Sequence, residues 1–219
     1  MGEFRIAAWA GLAVLAGALT MLAGLIAAPG PWLGGYVSEA GTTGQPLAGA
    51  YRLGLVFLAL GVAVLGRALH PVSRPVAVLL GLAAVLAGTS GAVPCTSGCP
   101  LPPFEPTTVS DVAHTAASIV GMVALAGAMA AVALGTVFGP VLRRLAGVAA
   151  ALIVPLGGAL GLTMLFAGRG ELGALLERGA LVVAVAWLIG TAIVLAIGHG
   201  PDHDRGITPA RDPATSGRS

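Results

Sequence analysis

The sequence predicts an all-α integral membrane bundle of six transmembrane helices. Hydrophobic residues make up 57% of the chain and charged residues only 9%, whereas a typical soluble domain contains about 45–50% and about 25%. Several uninterrupted apolar segments reach the roughly 20 residues that a helix needs to cross a bilayer. Because a backbone inside lipid must satisfy its own hydrogen bonds, these segments indicate helices and not a barrel of alternating strands.

The predicted spans are separated by short segments rich in glycine, proline and charge. They lie at about residues 6–28, 50–69, 76–93, 110–137, 145–167 and 181–197. Pro155 is expected to kink the fifth span, because proline removes a helical hydrogen bond. Residues 1–198 therefore form one six-helix domain. The polar, Pro- and Gly-rich segment 199–219 is predicted to be a disordered cytoplasmic tail.

The distribution of arginine predicts the orientation of the bundle. Six spans put both termini on the same side of the membrane. That side carries Arg5, Arg67, Arg74, Arg143, Arg144, Arg205, Arg211 and Arg218. The other side carries Arg52, Arg169 and Arg178, so the positive-inside rule makes both termini cytoplasmic. The absence of Lys and the abundance of Ala, Gly, Leu and Val indicate a GC-rich bacterial genome, and the predicted location is the bacterial cytoplasmic membrane.

Cys95 and Cys99 are the only cysteines in the chain. Their loop is expected to face outward, which in a bacterium is the oxidising side, so we predict a disulfide between them. A thiol–disulfide catalyst is an alternative, although such enzymes favour two residues between the cysteines and this pair has three. A zinc site made by both cysteines and a histidine is another alternative.

The fourth span begins with a polar stripe. Asp111, His114, Thr115 and Ser118 are spaced so that they share one helix face, and Ser110 is placed to cap the helix. Polar stripes in membrane helices face the bundle interior or a cavity. Asp111 and His114 could therefore bind a metal, relay protons or act as general acid and base. In the alternative interpretation, the negative charge of Asp111 only interacts favourably with the helix dipole, because Asp111 lies in the first turn. His114 is then no more than a hydrogen-bonded residue at the level of the lipid headgroups.

The same predicted side carries three further polar residues: Ser38, Glu39 and Arg52. Arg52 could pair with Glu39, Glu105 or Asp111, or bind a phosphate or carboxylate group; it could also simply extend to water. The predicted binding residues are Ser38, Glu39, Arg52, Asp111, His114 and Ser118. The residues expected on solvated surface are Arg169, Glu171, Glu177 and Arg178. His199 and His203 have metal-binding spacing, but Gly200 and Pro201 interrupt any helix there, so no metal site is predicted.

The chain resembles a known family over about residues 6–197. The resemblance rests on WLGGYVSEAG after the first span, YRLG opening the second, GAVPC followed by GCP, and SDVAH entering the fourth. With these motifs the chain resembles bacterial proteins of the "domain of unknown function 998" family. The resemblance implies a six-helix membrane topology and no established activity. It draws attention to Ser38, Glu39, Arg52, Asp111 and His114 without assigning them roles.

The predicted function is the binding of a small molecule or lipid headgroup in an outward-facing polar cavity, as in a transporter or accessory subunit. A membrane-embedded hydrolase or transferase that uses Asp111 and His114 on a lipid-type substrate is one alternative, and a structural partner-docking protein is another. No cofactor is predicted; a divalent metal such as zinc, with His114 and Asp111 as candidate ligands, is the alternative. The predicted partner is the lipid bilayer. The net charge of +2 is too small to suggest nucleic acid, so none is predicted, and the sequence identifies no protein partner.

Overall fold

The computed structural model describes residues 2–30, 35–100 and 104–198, and these residues form six α-helices. The helices are α1 (Gly2–Ala27), α2 (Ala48–Leu69), α3 (Arg74–Ala92), α4 (Val109–Leu134), α5 (Pro140–Phe166) and α6 (Glu171–Gly198). Each of them is long and apolar enough to cross a membrane. The prediction of an all-α membrane bundle is confirmed. The orientation of the termini stays a prediction, and the tail at 199–219 lies outside the described residues, as do His199 and His203.

The helices form a closed ring. Each helix packs against the next one in the chain, and α1 also packs against α6. A short 3₁₀ helix, Val37–Gly41, contacts α1, α2 and α6 at one end of this ring. The loop that holds Cys95 and Cys99 connects α3 to α4 at the same end. We call this end the disulfide end, and the end that holds the start of α1 and the close of α6 the opposite end.

The hydrophobic core fills the half of the ring towards the opposite end. Its most buried members include Leu65 on α2, Leu80 on α3, Met129 on α4 and Trp187 on α6. On α5 the buried residues are Leu142, Ala146, Ala149 and Ile153. From residue 154 to residue 166 of that helix no side chain is buried. The packing of α5 is therefore tight in one half of the ring and loose in the half towards the disulfide end.

The largest differences from the sequence prediction are the starts of α5 and α6 and the cap of α4. α5 begins at Pro140 rather than at about Leu145, because proline is well suited to the first turn, where its missing N–H costs nothing. α6 begins at Glu171 rather than at about Leu181. The cap of α4 is Thr108 rather than Ser110: the Thr108 hydroxyl accepts a hydrogen bond from the backbone N–H of Asp111 at 3.3 Å.

Candidate functional site

A cavity of about 440 Å³ occupies the half of the ring towards the disulfide end. This volume lies within the range of about 300–1,000 Å³ that is typical of small-molecule sites. Residues of α1 to α6 and of the 3₁₀ helix contribute to its wall. Along α4 the wall extends from His114 to Ala126, which at 1.5 Å per residue is about 18 Å. The cavity is thus a long space that runs along the helices.

The cavity wall is polar near the disulfide end and apolar further inside. Its polar members are Tyr36, Ser38, Tyr51, Ser90, His114, Thr115, Ser118 and Glu177. Deeper along the helices the wall is formed by apolar side chains such as Leu55, Met122 and Ile153. This division matches a molecule with a polar head and an apolar body.

The cavity opens sideways between α4 and α5. Three of its lining residues on these helices are more than half exposed: Ile119 (51%), Val123 (66%) and Val154 (61%). Gly157, Gly158 and Gly161 also line it, and a Cβ atom added to any of them would meet no atom within 4 Å. Because these residues lie within apolar spans, the opening faces the hydrocarbon of the membrane.

His114 is buried and its ring orientation is fixed by α3. Its Nδ1 atom lies 2.9 Å from the carbonyl oxygen of Ser90 and 3.0 Å from that of Val93. Carbonyl oxygens only accept, so Nδ1 carries a hydrogen, and in the neutral ring Nε2 is then the acceptor. The hydroxyl of Ser118 donates to the backbone oxygen of His114 at 3.0 Å and lies 2.9 Å from the hydroxyl of Ser90. His114 therefore presents a hydrogen-bond acceptor at the cavity wall.

Asp111 is also buried, but its carboxylate is directed at the loop instead of at His114. Oδ1 accepts from the Thr96 backbone N–H at 2.6 Å, and Oδ2 accepts from the Thr108 backbone N–H at 2.8 Å. The hydroxyls of Thr96 and Thr108 donate to the same carboxylate at 3.0 and 2.7 Å. Asp111 thus fixes the disulfide loop to the start of α4. The described contacts do not assemble Asp111 and His114 into an acid–base pair.

The two cysteines form the predicted disulfide, with their Cα atoms 5.1 Å apart. Their sulfur atoms and a ring nitrogen of His114 all lie within 4.8 Å of one another. Three such ligands could hold zinc and leave a fourth position open. In the disulfide, however, neither sulfur is a thiolate, which is the form that binds metal. Asp111, the other candidate ligand, is not a member of this group.

Glu177 on α6 is the acidic side chain in the cavity wall. Its Oε2 atom accepts from the backbone N–H of Val37 at 2.5 Å, which joins the 3₁₀ helix to α6. Tyr36, directly before Val37, is buried, and its hydroxyl lies against Gly173. Burial raises the pKa of the Tyr36 phenol and the nearby Glu177 carboxylate raises it further, so this hydroxyl stays protonated.

The arginines of the disulfide end are engaged outside the cavity wall. Arg169 pairs with Glu39, and its Nη1 lies 3.6 Å from Glu105. The Glu39 carboxylate also accepts from the Tyr36 backbone N–H at 3.2 Å. The Nε of Arg52 donates to the carbonyl oxygen of Ala48 at 3.4 Å. The two pairs of Arg169 join the α5–α6 turn to the 3₁₀ helix and to the loop before α4, and we call these connected segments the roof of the cavity. The Arg52 contact stays within α2.

Three of the six predicted binding residues, Ser38, His114 and Ser118, line the cavity. The structure does not bring Glu39, Arg52 and Asp111 into its wall. Sequence reasoning missed Glu177, which was expected on solvated surface. The signal that could have found it is the position of an acidic residue inside an apolar segment, since such residues in membrane helices face a cavity or the bundle interior.

The fold and this site define a multi-pass membrane protein with an amphipathic cavity at one end of its helix ring. The sequence profile of the family described as "Protein of unknown function (DUF998)" matches residues 8–194. The chain therefore belongs to this family. No curated protein and no solved structure matches the chain.

Proposed function

We propose that the protein binds a lipid-type amphipathic molecule that reaches the cavity from the membrane through the gap between α4 and α5. The observation that supports this proposal is the combination of a polar end and an apolar body in one cavity that opens towards lipid. A molecule that enters sideways keeps its apolar chain out of water throughout, so no hydrophobic surface is exposed on the way. The polar head then meets His114, Ser118 and Glu177.

The test is photocrosslinking in lipid nanodiscs with an amphiphile that carries a diazirine in its alkyl chain. We expect crosslinks on the lining residues of α4 and α5, such as Met122 and Val154. An excess of the same amphiphile without the diazirine should suppress these crosslinks. Crosslinks on the lipid-facing side of α1, for example at Leu12 or Leu19, report ordinary annular contact and should resist this competition. Equal suppression at both places would contradict the proposal.

We further propose that the protein lies in the bacterial cytoplasmic membrane with both termini cytoplasmic. The support is the placement of Arg67, Arg74, Arg143 and Arg144 at the opposite end, against three arginines at the disulfide end. Alkaline phosphatase fused after residue 198 should be inactive, because that enzyme needs the oxidising side of the membrane to form its disulfides. A fusion in the loop at Gly44 should be active, and the reverse result would contradict the proposed orientation.

We propose that zinc binds only when the disulfide is reduced. One molecule of a dithiol reductant would reduce the disulfide to two thiols and would itself be oxidised to a disulfide. The two thiols lose their protons when they bind the metal. Elemental analysis should then find zinc in the reduced protein and none in reduced His114→Ala. Stoichiometric zinc in the oxidised protein, or zinc that survives His114→Ala, would contradict this arrangement.

A further inference from the structure

The polar end of the cavity presents acceptors to a ligand, because several of its donors are already used. The Nδ1 hydrogen of His114 is directed at the carbonyl oxygens of Ser90 and Val93, which leaves the Nε2 lone pair. The Ser118 hydroxyl donates to the His114 backbone oxygen. The Ser90 hydroxyl then donates to Ser118, since the Ser118 hydrogen is occupied. The hydroxyls of Tyr36, Ser38, Tyr51 and Thr115 also line the wall, and each of them can accept as well as donate.

Glu177 adds the strongest acceptor. A carboxylate offers about four lone-pair sites. The backbone N–H groups of Val37 and Ser38 approach this carboxylate from the 3₁₀ helix and satisfy part of that capacity. The side chain is half-buried, and it lines the cavity. A ligand head with N–H groups can therefore reach the remaining lone pairs.

The described cavity wall contains no basic side chain, and the positive charge of Arg178 acts on Glu177 from outside that wall. Arg178, next to it in sequence, donates through Nη1 to the carbonyl oxygens of Gly35 at 2.7 Å and Ala174 at 2.9 Å. Arg169 faces Glu39 and Glu105. The loop segments 31–34 and 101–103, with sequences PWLG and LPP, contain no basic residue. A phosphate or carboxylate head would lose its hydration beside the Glu177 carboxylate, with no basic side chain in the described wall to contact, which is unfavourable.

We infer that the cavity selects a lipophilic amine, whose protonated head donates hydrogen bonds to Glu177 while its alkyl chain fills the apolar part. The inference rests on the proposed function and narrows it to one class of headgroup. It also runs against the expectation that Arg52 holds a phosphate. Hydrogen bonds to a charged group contribute about 1.5–3 kcal/mol, so loss of the carboxylate charge should weaken amine binding by about tenfold or more.

The test compares three amphiphiles with the same alkyl chain: dodecylamine, dodecanol and dodecyl phosphate. Each competes with the diazirine amphiphile for the α4 and α5 crosslinks in nanodiscs. Concentrations are corrected for partition into protein-free nanodiscs, so that only the protein's preference is compared. We expect dodecylamine to compete at a concentration about tenfold below that of dodecyl phosphate. Glu177→Gln should remove that advantage and leave competition by dodecanol unchanged.

The matched control is Glu171→Gln, which removes the same charge from an exposed position on the first turn of α6. It should leave the ranking of the headgroups as it is in the unmodified protein. If Glu177→Gln fails to fold, because its contact with Val37 is weakened, the ranking in the unmodified protein decides alone. Competition by dodecyl phosphate equal to that by dodecylamine would overturn the inference and leave the proposed function intact. If no headgroup competes, the proposed function itself fails.

Discussion

Glycines occupy two contrasting regions of the bundle: the contact between α1 and α2, and the half of α5 nearer the disulfide end. In the first region the two backbones touch. A Cβ atom on Gly17 would lie 2.6 Å from the carbonyl oxygen of Gly54, and one on Gly61 would lie 2.8 Å from the backbone nitrogen of Val14. In the second region, Cβ atoms on Gly157 and Gly158 would meet nothing within 4 Å.

The difference shows that the same residue type serves two purposes in this chain. Between α1 and α2, which we call the glycine seam, the missing side chains let the helices approach closely, as small residues do in membrane bundles. On α5 the missing side chains leave space, and that space is part of the cavity. The backbones of α1 and α2 are thus in direct contact along the seam, whereas α5 leaves unfilled space beside its glycines.

The largest expected effect is a loss of stability when the seam is filled. Gly17→Ala places a methyl group against the backbone of α2, and overpacking of this kind costs about 3 kcal/mol. Gly158→Ala is the matched control, because its methyl group enters open space and alanine favours the helix by about 1 kcal/mol. Thermal unfolding in detergent, followed by tryptophan fluorescence, should show a lower Tm for the first variant only. An equal fall in Tm for Gly17→Ala and Gly158→Ala would contradict the difference in packing between the two regions.

The second largest effect is expected from Asp111, which contributes to the free energy of unfolding by fixing the disulfide loop. Its size shows whether this loop is held as firmly as the glycine seam. Asp111→Ala removes the acceptor for the Thr96 and Thr108 donors. Hydrogen bonds to a carboxylate contribute about 1.5–3 kcal/mol, and we expect a loss of about 2–3 kcal/mol in the free energy of unfolding. Glu171→Ala, at an exposed helix start, should change stability by much less. A Tm for Asp111→Ala equal to that of the unmodified protein would contradict the role given to Asp111.

The disulfide is expected to contribute somewhat less, because it closes a very short loop. Replacing both Cys95 and Cys99 with serine should cost about 2 kcal/mol on the chain-entropy estimate. Reduction of the unmodified protein should lower its Tm by a similar amount, whereas the serine variant should not respond to reductant. A response of the serine variant would show that the reductant acts elsewhere.

The smallest expected effect belongs to Arg169, the ion-pair centre of the roof. Its pairs with Glu39 and Glu105 are partly exposed, at 30% for the arginine side chain. Because solvent screens such pairs, Arg169→Gln should cost less than about 1 kcal/mol. Added salt should lower the Tm of the unmodified protein slightly and narrow its difference from Arg169→Gln. A larger loss, insensitive to salt, would mean that this end of the bundle depends on Arg169 for packing.

The fold was largely predictable from the sequence because apolar segments long enough to span a bilayer have few other solutions. The starts of α5 and α6 were not, since the prediction treated charged residues as boundaries. In α6, Glu177 and Arg178 lie inside the helix, where their side chains bond to backbone groups near the 3₁₀ helix. Contacts between residues so far apart in sequence leave no local pattern.

The site was predictable only in part. Helical spacing correctly associated His114 with Ser118, since both line the cavity. The same spacing gave no information on the loop residue Thr96. Its backbone N–H donates to the carboxylate of Asp111, which is therefore directed at the loop and not at His114. The cavity itself was beyond sequence reasoning, because Gly157 and Gly17 are indistinguishable until their neighbours are known.

The most direct test of the account is native mass spectrometry of the purified protein with bound amphiphile, comparing Gly157→Trp with Leu162→Trp. The first substitution puts an indole into the cavity, whereas Leu162 is 60% exposed and does not line it. We predict one bound amphiphile on the unmodified protein and on Leu162→Trp, and none on folded Gly157→Trp. Equal occupancy on all three would place the bound amphiphile elsewhere and contradict the proposed cavity site.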